Sequence, residues 1–432
     1  MGGGLLQLIA YGAQDAFISG NPQITFWKAL YKRHTNFAME PFRVNFTGQP
    51  AWGGKTSAII GRHADLLYTT YLEVVLPTTG EGKAGFNNDQ GRLGYNLLEY
   101  VELNIGGTAI DRLYGEWLYL WDSLTSDLSK STKLWSMVGD GKASGNQTYS
   151  DLSSTCYNNN GRTGPANVLY VPLTFFYTRN AGAALPLISL AYHEVRIDVS
   201  WNTREAVSGN FTLSGPPPPI QAAIYADYIY LDVEERRRMA QESHEYLIEQ
   251  VQYNEDKGIS SYNNRIDLTF NHPVKELIWV VQPSDYTNCK LTESNTRPAT
   301  RLTPFTYDQA AVESQFIQFN GQDRLEKRFG DYFNQPQMYQ HHTGFGATVQ
   351  GSAIPAAQSG IYMYSFALKP EEHQPSGSCN FSRIDTATIV MNIGGNVVID
   401  ARDDKIWDVR VYAVNYNILR IMSGMCGLAY SN

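Results

Sequence analysis

The chain has 432 residues, 43% of them apolar and 18% charged, with 12% aromatic residues that include 28 Tyr. This is the composition of a globular protein of about two domains, not of a disordered chain. The net charge of −8 argues against wrapping of nucleic acid. The four cysteines, Cys156, Cys289, Cys379 and Cys426, are widely spaced and form no CxxC pair, so the pattern supports neither a disulfide framework nor a zinc cluster.

In chain order, MGGGLLQLIAYGAQ has no basic start and too short an apolar run for a signal peptide, and no run of about 18 apolar residues crosses a bilayer. Position 6 is Leu, so the Met-Gly start lacks the Ser or Thr of a myristoylation signal. GNPQITFWKALYKRHTNF (20–37) predicts a short helix, with Asn21 as N-cap and Pro22 at its first position. Ile24, Trp27 and Tyr31 share a face that Phe26 and Leu30 widen, while Lys28, Lys32 and Arg33 lie toward the other side. One reading packs the aromatic face on protein. Another turns the basic face to partner proteins or acidic headgroups.

Strand patterns follow at 42–48, 64–77, 97–107, 168–178, 192–201 and 222–233, with a helix expected from Gly115. Residues 126–165 are rich in Gly, Ser, Asn and Thr and read as a long polar loop with no core-forming pattern. GPPPPI (215–220) marks a stiff loop, and VEERRRMAQ (233–241) begins a charged segment taken as the connection between halves.

The second half weakly repeats the first. VELNIGGTAIDRLYGEW (101–117) matches IQFNGQDRLEKRFGDYF (317–333), EVVLP (73–77) matches WVVQP (279–283), VPLTFFY (171–177) matches MYSFALK (363–369), and YADYIYLDV (225–233) matches VYAVNYNIL (411–419). Four matches in one order predict a duplicated β-domain of about 200 residues. Many strands without a βαβ rhythm point to antiparallel jelly rolls. The expected division is an arm over 1–38, a first jelly roll over 39–233, a linker over 234–243 and a second jelly roll over 244–432.

Chemistry is sparse. GGKT (53–56) lacks the upstream Gly of a phosphate loop, because position 49 is Gln. HEYLIE (244–249) has Ile where a zinc-protease helix has its second His, and no GxSxG elbow occurs. The pair His341-His342 sits in a polar segment without neighbouring carboxylates and reads as a surface loop rather than a metal site. No catalytic residue, cofactor or metal ligand is therefore assigned. Asn45, Asn146, Asn210 and Asn380 lie in glycosylation sequons, Asn146 in the long polar loop and Asn45 within a strand pattern.

The motifs YGAQD (11–15), GNPQITFWKALYKRHTNFA (20–38), LPLISLAYHEVRI (185–197), HEYLIEQ (244–250), NGQDR (320–324), YSFALKP (364–370), QPSGSCNFSRID (374–385) and NYNILRIMSGMCGLAY (415–430) occur in this order. Together they resemble the major capsid proteins of nucleocytoplasmic large DNA viruses, in their phycodnavirus-like form, from Gln7 to the C-terminus. The resemblance implies an all-β fold of two tandem eight-stranded antiparallel jelly rolls, with short helices in the loops and an N-terminal helical arm. It implies a structural, non-enzymatic capsid protein that forms pseudo-hexagonal homotrimers tiling an icosahedral virion shell, assembled in the host cytoplasm. Its implied partners are further copies of itself, minor capsid and penton proteins and an inner viral membrane, with no direct nucleic-acid contact. Trp27, Lys28, Tyr31, Lys32 and Arg33 become candidate inner-face contacts. The competing reading is a lectin-like or carbohydrate-active β-sandwich, which would need an aromatic pocket with paired carboxylates.

Overall fold

The computed structural model describes residues 3–22, 26, 33–76, 93–127, 130, 133–134, 137–138, 167–208, 219–284, 312–344, 360–393 and 406–430. The chain divides into two compact units, Met1–Phe37 and Ala38–Asn432. The first carries α1 (Gly3–Ile9) and α2 (Ala13–Ser19), whose Leu5, Leu6, Leu8, Ile9, Phe17 and Ile18 are exposed. The helical arm is thus present, but upstream of the helix read from the sequence. Asn21 has φ +53 instead of the extended backbone of an N-cap, and Phe26 is 99% exposed in a bend rather than packed in an apolar face. Residues 23–25 and 27–32 lie outside the described residues, and with them Trp27, Lys28, Tyr31 and Lys32.

From the unit boundary onward the chain forms β1 (Phe37–Asn45), whose first residue belongs to the first unit, then β2 (Lys55–Ile60), β3 (Leu66–Leu76), α3 (Leu93–Asn96), β4 (Leu98–Ile105), β5 (Thr108–Tyr114) and α4 (Gly115–Thr125). It continues through β6 (Asn167–Pro172), α5 (Phe176–Arg179), β7 (Leu185–Pro186), β8 (Val195–Trp201), α6 (Arg204–Ser208), β9 (Gln221–Leu231) and α7 (Val233–Gln241). The later half contains β10 (His244–Ile259), β11 (Asn263–Leu268), β12 (Pro273–Pro283), β13 (Val312–Phe319), β14 (Gln322–Asp323) and β15 (Arg328–Phe329). After α8 (Gly330–Asn334) and α9 (Pro336–His341) come β16 (Ile361–Ser365), β17 (Cys379–Asn380), β18 (Ala387–Ile393), β19 (Trp407–Met422) and β20 (Met425–Leu428).

These strands build four antiparallel sheets. Sheet A runs β1-β9-β3-β6 and sheet B runs β2-β8-β4-β5. Sheet C runs β10-β19-β12-β16 and sheet D runs β11-β18-β13-β14. Among the described residues each half therefore contributes eight principal strands in the same order, and the short β7, β15, β17 and β20 only extend sheet edges. The fold is a double jelly roll, and the weak internal repeat is a real structural duplication.

Alternation drives the strands. Val195, Ile197 and Val199 of β8 turn inward while Arg196 and Asp198 turn out. Two-residue turns with both φ values positive close three hairpins, at Gly106-Gly107, Asn320-Gly321 and Ser423-Gly424. Strands β2 and β5 escape the sequence patterns because each is short and flanked by Gly. The strand expected through residue 178 stops at Pro172, and Phe175, Phe176 and Tyr177 are buried around α5 instead. The charged 233–241 segment is the helix α7, capped by Asp232, which accepts from Val233 N at 2.8 Å. Arg236 ties it to the buried Asp65 at 3.0 Å. In the segment expected to lack core residues, Val138 is fully buried in the first-half core.

Two cores lie either side of sheet C. Leu277, Trp279, Val281, Val409 and Val411 join the core between sheets C and D. Alternate residues Ile278, Val280, Tyr412 and Val414 join the first-half core. Sheet C is consequently buried on both faces, and its β19 reads as a nearly continuous buried run. Within sheet A the strand ends that bound 77–92 and 139–166 pair as Leu76↔Asn167, and within sheet C those that bound 285–311 and 394–405 pair as Pro283↔Trp407.

Candidate functional site: the seam and the exposed faces

Helix α4 enters the molecule where no side chain fits. A Cβ on Gly115 would lie 2.2 Å from Tyr95 O and 2.4 Å from Leu98 O. That close approach sets Glu116, Trp117 and Trp121 against sheet C. Glu116 accepts two bonds from Arg410 of β19, Nη2 to Oε1 at 2.6 Å and Nε to Oε2 at 2.8 Å. Tyr412 donates its hydroxyl to Glu116 Oε2 at 2.7 Å, and Arg410 Nη2 also donates to Gln282 Oε1 at 2.6 Å. Burial opposes the Arg410 charge, but the adjoining Glu116 outweighs it and raises the pKa. Burial pushes the Tyr412 phenol well above its usual range.

A second cluster surrounds Trp121. The Arg179 guanidinium lies 4.4 Å from its ring centroid and Lys275 Nζ 5.8 Å. Both cations reach Glu249 Oε2, at 2.7 and 2.8 Å. Burial would raise the Glu249 pKa, but Arg179 and Lys275 hold it below the usual carboxylate range. Burial dominates at Lys275 and lowers its pKa.

His342 stands at the edge of Trp121, held between two carboxylates. Nε2 is 2.9 Å from Glu276 Oε2 and Nδ1 is 2.9 Å from Glu371 Oε1. Two acceptors around one ring call for an imidazolium donating from both nitrogens. Burial lowers its pKa, yet Glu276 and Glu371 more than reverse this and raise it to about 9. The next residues clasp α4: Thr343 Oγ1 donates to Thr125 O at 3.0 Å and Gly344 N to Leu124 O at 2.7 Å. Along the same seam Asp111 accepts from Val251 N at 3.1 Å and Arg112 N at 2.9 Å. Burial raises its pKa to about 7. The arrangement fixes two sandwiches to each other with buried, matched charges.

The sequence reading took His341-His342 as a surface loop without carboxylates. The fold corrects this, because Glu276 and Glu371 reach His342 from far along the chain. Glu116, Lys275 and Arg410 were also missed. Their signal is a charged residue inside an otherwise apolar run, as in WDVRVYAVNY. Of the candidate inner-face residues only Arg33 is described, and it is exposed. Asn146 and Asn210 lie outside the described residues. Asn45 is exposed on β1, and Asn380 is exposed with its side chain accepting from Ser382 N at 3.0 Å. Among the described residues no cluster of three or more His, Cys, Asp or Glu could hold a metal, and no helix is long and apolar enough to cross a membrane.

Exposed faces remain. The outer side of sheet A carries Tyr71, Glu73, Val75, Tyr225 and Asp227, all partly exposed, with Val168 and Tyr170 more so. Around α8 and α9, Lys327, Arg328, Phe329 and Tyr339 are exposed.

The family model described as "Large eukaryotic DNA virus major capsid protein" matches residues 235–427, and "Major capsid protein N-terminus" matches 25–232. The major capsid protein of Pyramimonas orientalis virus is 44% identical over 444 residues, covering 100% of both chains. That of Paramecium bursaria Chlorella virus 1 is 38% identical over 471 residues, again covering 100% of both. Among solved structures, a quasi-atomic model of the PBCV-1 virus capsid superposes with a TM-score of 0.75 at 34% identity, over 94% of this chain and 100% of that one. The Faustovirus major capsid protein has a TM-score of 0.68 at 11% identity, over 95% of this chain and 94% of that one, a likeness of fold.

Proposed function

The chain belongs to the major capsid proteins of large eukaryotic DNA viruses, and from that premise we propose that it assembles as a homotrimer with a pseudo-hexagonal outline. The capsid role is structural rather than enzymatic, as the family's is. The observation that carries the trimer is the pairing of two halves with one strand order across a buried seam. A rigid chain then presents two similar wedges, and three chains present six. Six-sided blocks tile a flat facet of an icosahedral shell.

In this reading residues 1–38 form an arm, 39–233 and 244–432 the two jelly rolls and 234–243 their linker. Trp27, Lys28, Tyr31, Lys32 and Arg33 face the particle interior and meet minor capsid proteins or an anionic membrane, which the local excess of cations favours. Penton proteins complete the vertices, and particles assemble in the host cytoplasm. Native mass spectrometry of the purified chain tests the central point. The expected species has three times the chain mass and a hexagonal outline in electron micrographs. A protein that stays monomeric at micromolar concentration and above sinks the reading.

A further inference from the structure

We propose that the aromatic rings lining the seam form a conduit that carries one-electron oxidation away from the buried tryptophans of α4, out to Tyr100 on the outer face of sheet B.

The rings run without a break. Trp121 and Trp117 of α4 lie 5.6 Å apart between ring centroids, and Trp117 lies 5.5 Å from Tyr412 of β19. Tyr412 is 5.1 Å from Tyr253 of β10, Tyr253 is 4.6 Å from Tyr114 of β5, and Tyr114 is 6.3 Å from Tyr100 of β4. Every step is a direct ring contact. Trp117 and Tyr412 are sealed from solvent. Tyr100 is partly exposed, on the side of β4 opposite the inward Val101 and Leu103. One end of the row is dry and the other is wet.

Composition separates this row from ordinary packing. Indoles and phenols lose an electron far more readily than a benzene ring does, and the row contains no Phe. The second-half core also holds a tryptophan, Trp279, but its ring contacts continue through Phe333, Tyr364, Phe366 and Phe381. Packing alone is satisfied by Phe, which buries no hydroxyl. The seam instead buries the phenol of Tyr412 and gives it a proton acceptor, Glu116 Oε2 at 2.7 Å. An oxidised phenol must shed its proton, and this bond receives it.

Charge sets the direction. At the inner end the Arg179 guanidinium stacks 4.4 Å from the Trp121 centroid and opposes a positive charge on that indole. Farther along, Glu116 acts on Tyr412 more strongly than Arg410 does, and favours oxidation there. The chemistry closes. Dioxygen takes one electron from a light-excited Trp121 or Trp117, giving superoxide and an indole radical cation. Tyr412 refills the indole while its proton shifts to Glu116. Tyr253, Tyr114 and Tyr100 then supply the electron in turn, each phenol regaining its proton as it is refilled. Tyr100 loses its proton to water, and a soluble thiol returns a hydrogen atom to its oxygen, leaving a thiyl radical. The packed indoles are thereby spared the added oxygen that would overfill the seam.

The test is illumination of the full chain in air, without thiol, by red-edge ultraviolet light that tryptophan absorbs and tyrosine does not. Peptide mass spectrometry should find oxidation at Tyr100, with Trp117 and Trp121 intact. Tyr114→Phe with Tyr253→Phe interrupts the row and leaves the Glu116 bonds in place. In that variant the Tyr100 product should be lost, and oxidation should stop at Trp117, Trp121 or Tyr412. Tyr362→Phe, beside Trp279 in the other core, should leave the wild-type sites unchanged. Circular dichroism should match the wild type in both variants. Identical product sites in the wild type and the folded double variant overturn the conduit. Flash photolysis of the wild type decides without any variant. The tryptophan radical should decay as a tyrosine radical appears, at a rate independent of protein concentration, and decay without that appearance overturns the proposal.

Discussion

At the scale of residues, the seam depends on matched charge. Glu116 and Arg410 are both buried, so removing one leaves the other unpaired in a poor dielectric. Glu116→Ala is expected to cost about 3–5 kcal/mol in urea unfolding. Glu116→Leu with Arg410→Met should recover much of that loss, and equal destabilisation by both would show that the charge pairing is unimportant. His342 makes stability depend on pH. Its pKa rises from 6.5 unfolded to about 9 folded, so its contribution is complete below 6.5 and lost as pH rises through 9. Asp111, raised from 3.8 to about 7, acts in the same direction, favouring the fold below 3.8 and losing that effect through pH 7. The melting temperature should therefore fall between pH 6 and pH 10, and His342→Gln should flatten the upper part of the fall. An unchanged slope in the variant would remove His342 from the account.

At the scale of elements, the duplicated halves share a device at the start of the flank. Gly115 and Gly330 each sit where a methyl group would collide with backbone carbonyls, which cannot move aside as a side chain could. Gly115→Ala and Gly330→Ala are each expected to destabilise by roughly 1–3 kcal/mol, because the helix must shift on its sheet. Differential scanning calorimetry measures this, and a neutral result at both would mean that the approach relaxes without cost. Much of this level was legible beforehand. The strands β3, β4, β8 and β9, the start of α4 and the repeat joining GEW to GDY all follow from pattern. Helices α1 and α2 were missed because seven residues each make barely two turns of period, and β2 because six residues give too few alternations.

At the scale of the whole molecule, a duplicated β-fold was readable because it is written in local periodicity and in order of motifs. The seam was not, because it joins residues whose proximity exists only after folding. His342 lies 66 positions from Glu276, and Arg410 lies 294 from Glu116. Isolated charges in apolar runs mark such residues without naming their partners.

Sheet C carries one more implication. A sheet that is buried on both faces cannot be completed by the half of the chain that contains it. The dependence is mutual, because α4 and the first-half core close on Ile278, Val280, Tyr412 and Val414 of that same sheet. The two halves are therefore expected to melt in one cooperative transition, and a calorimetric trace with two separable peaks would show that they do not.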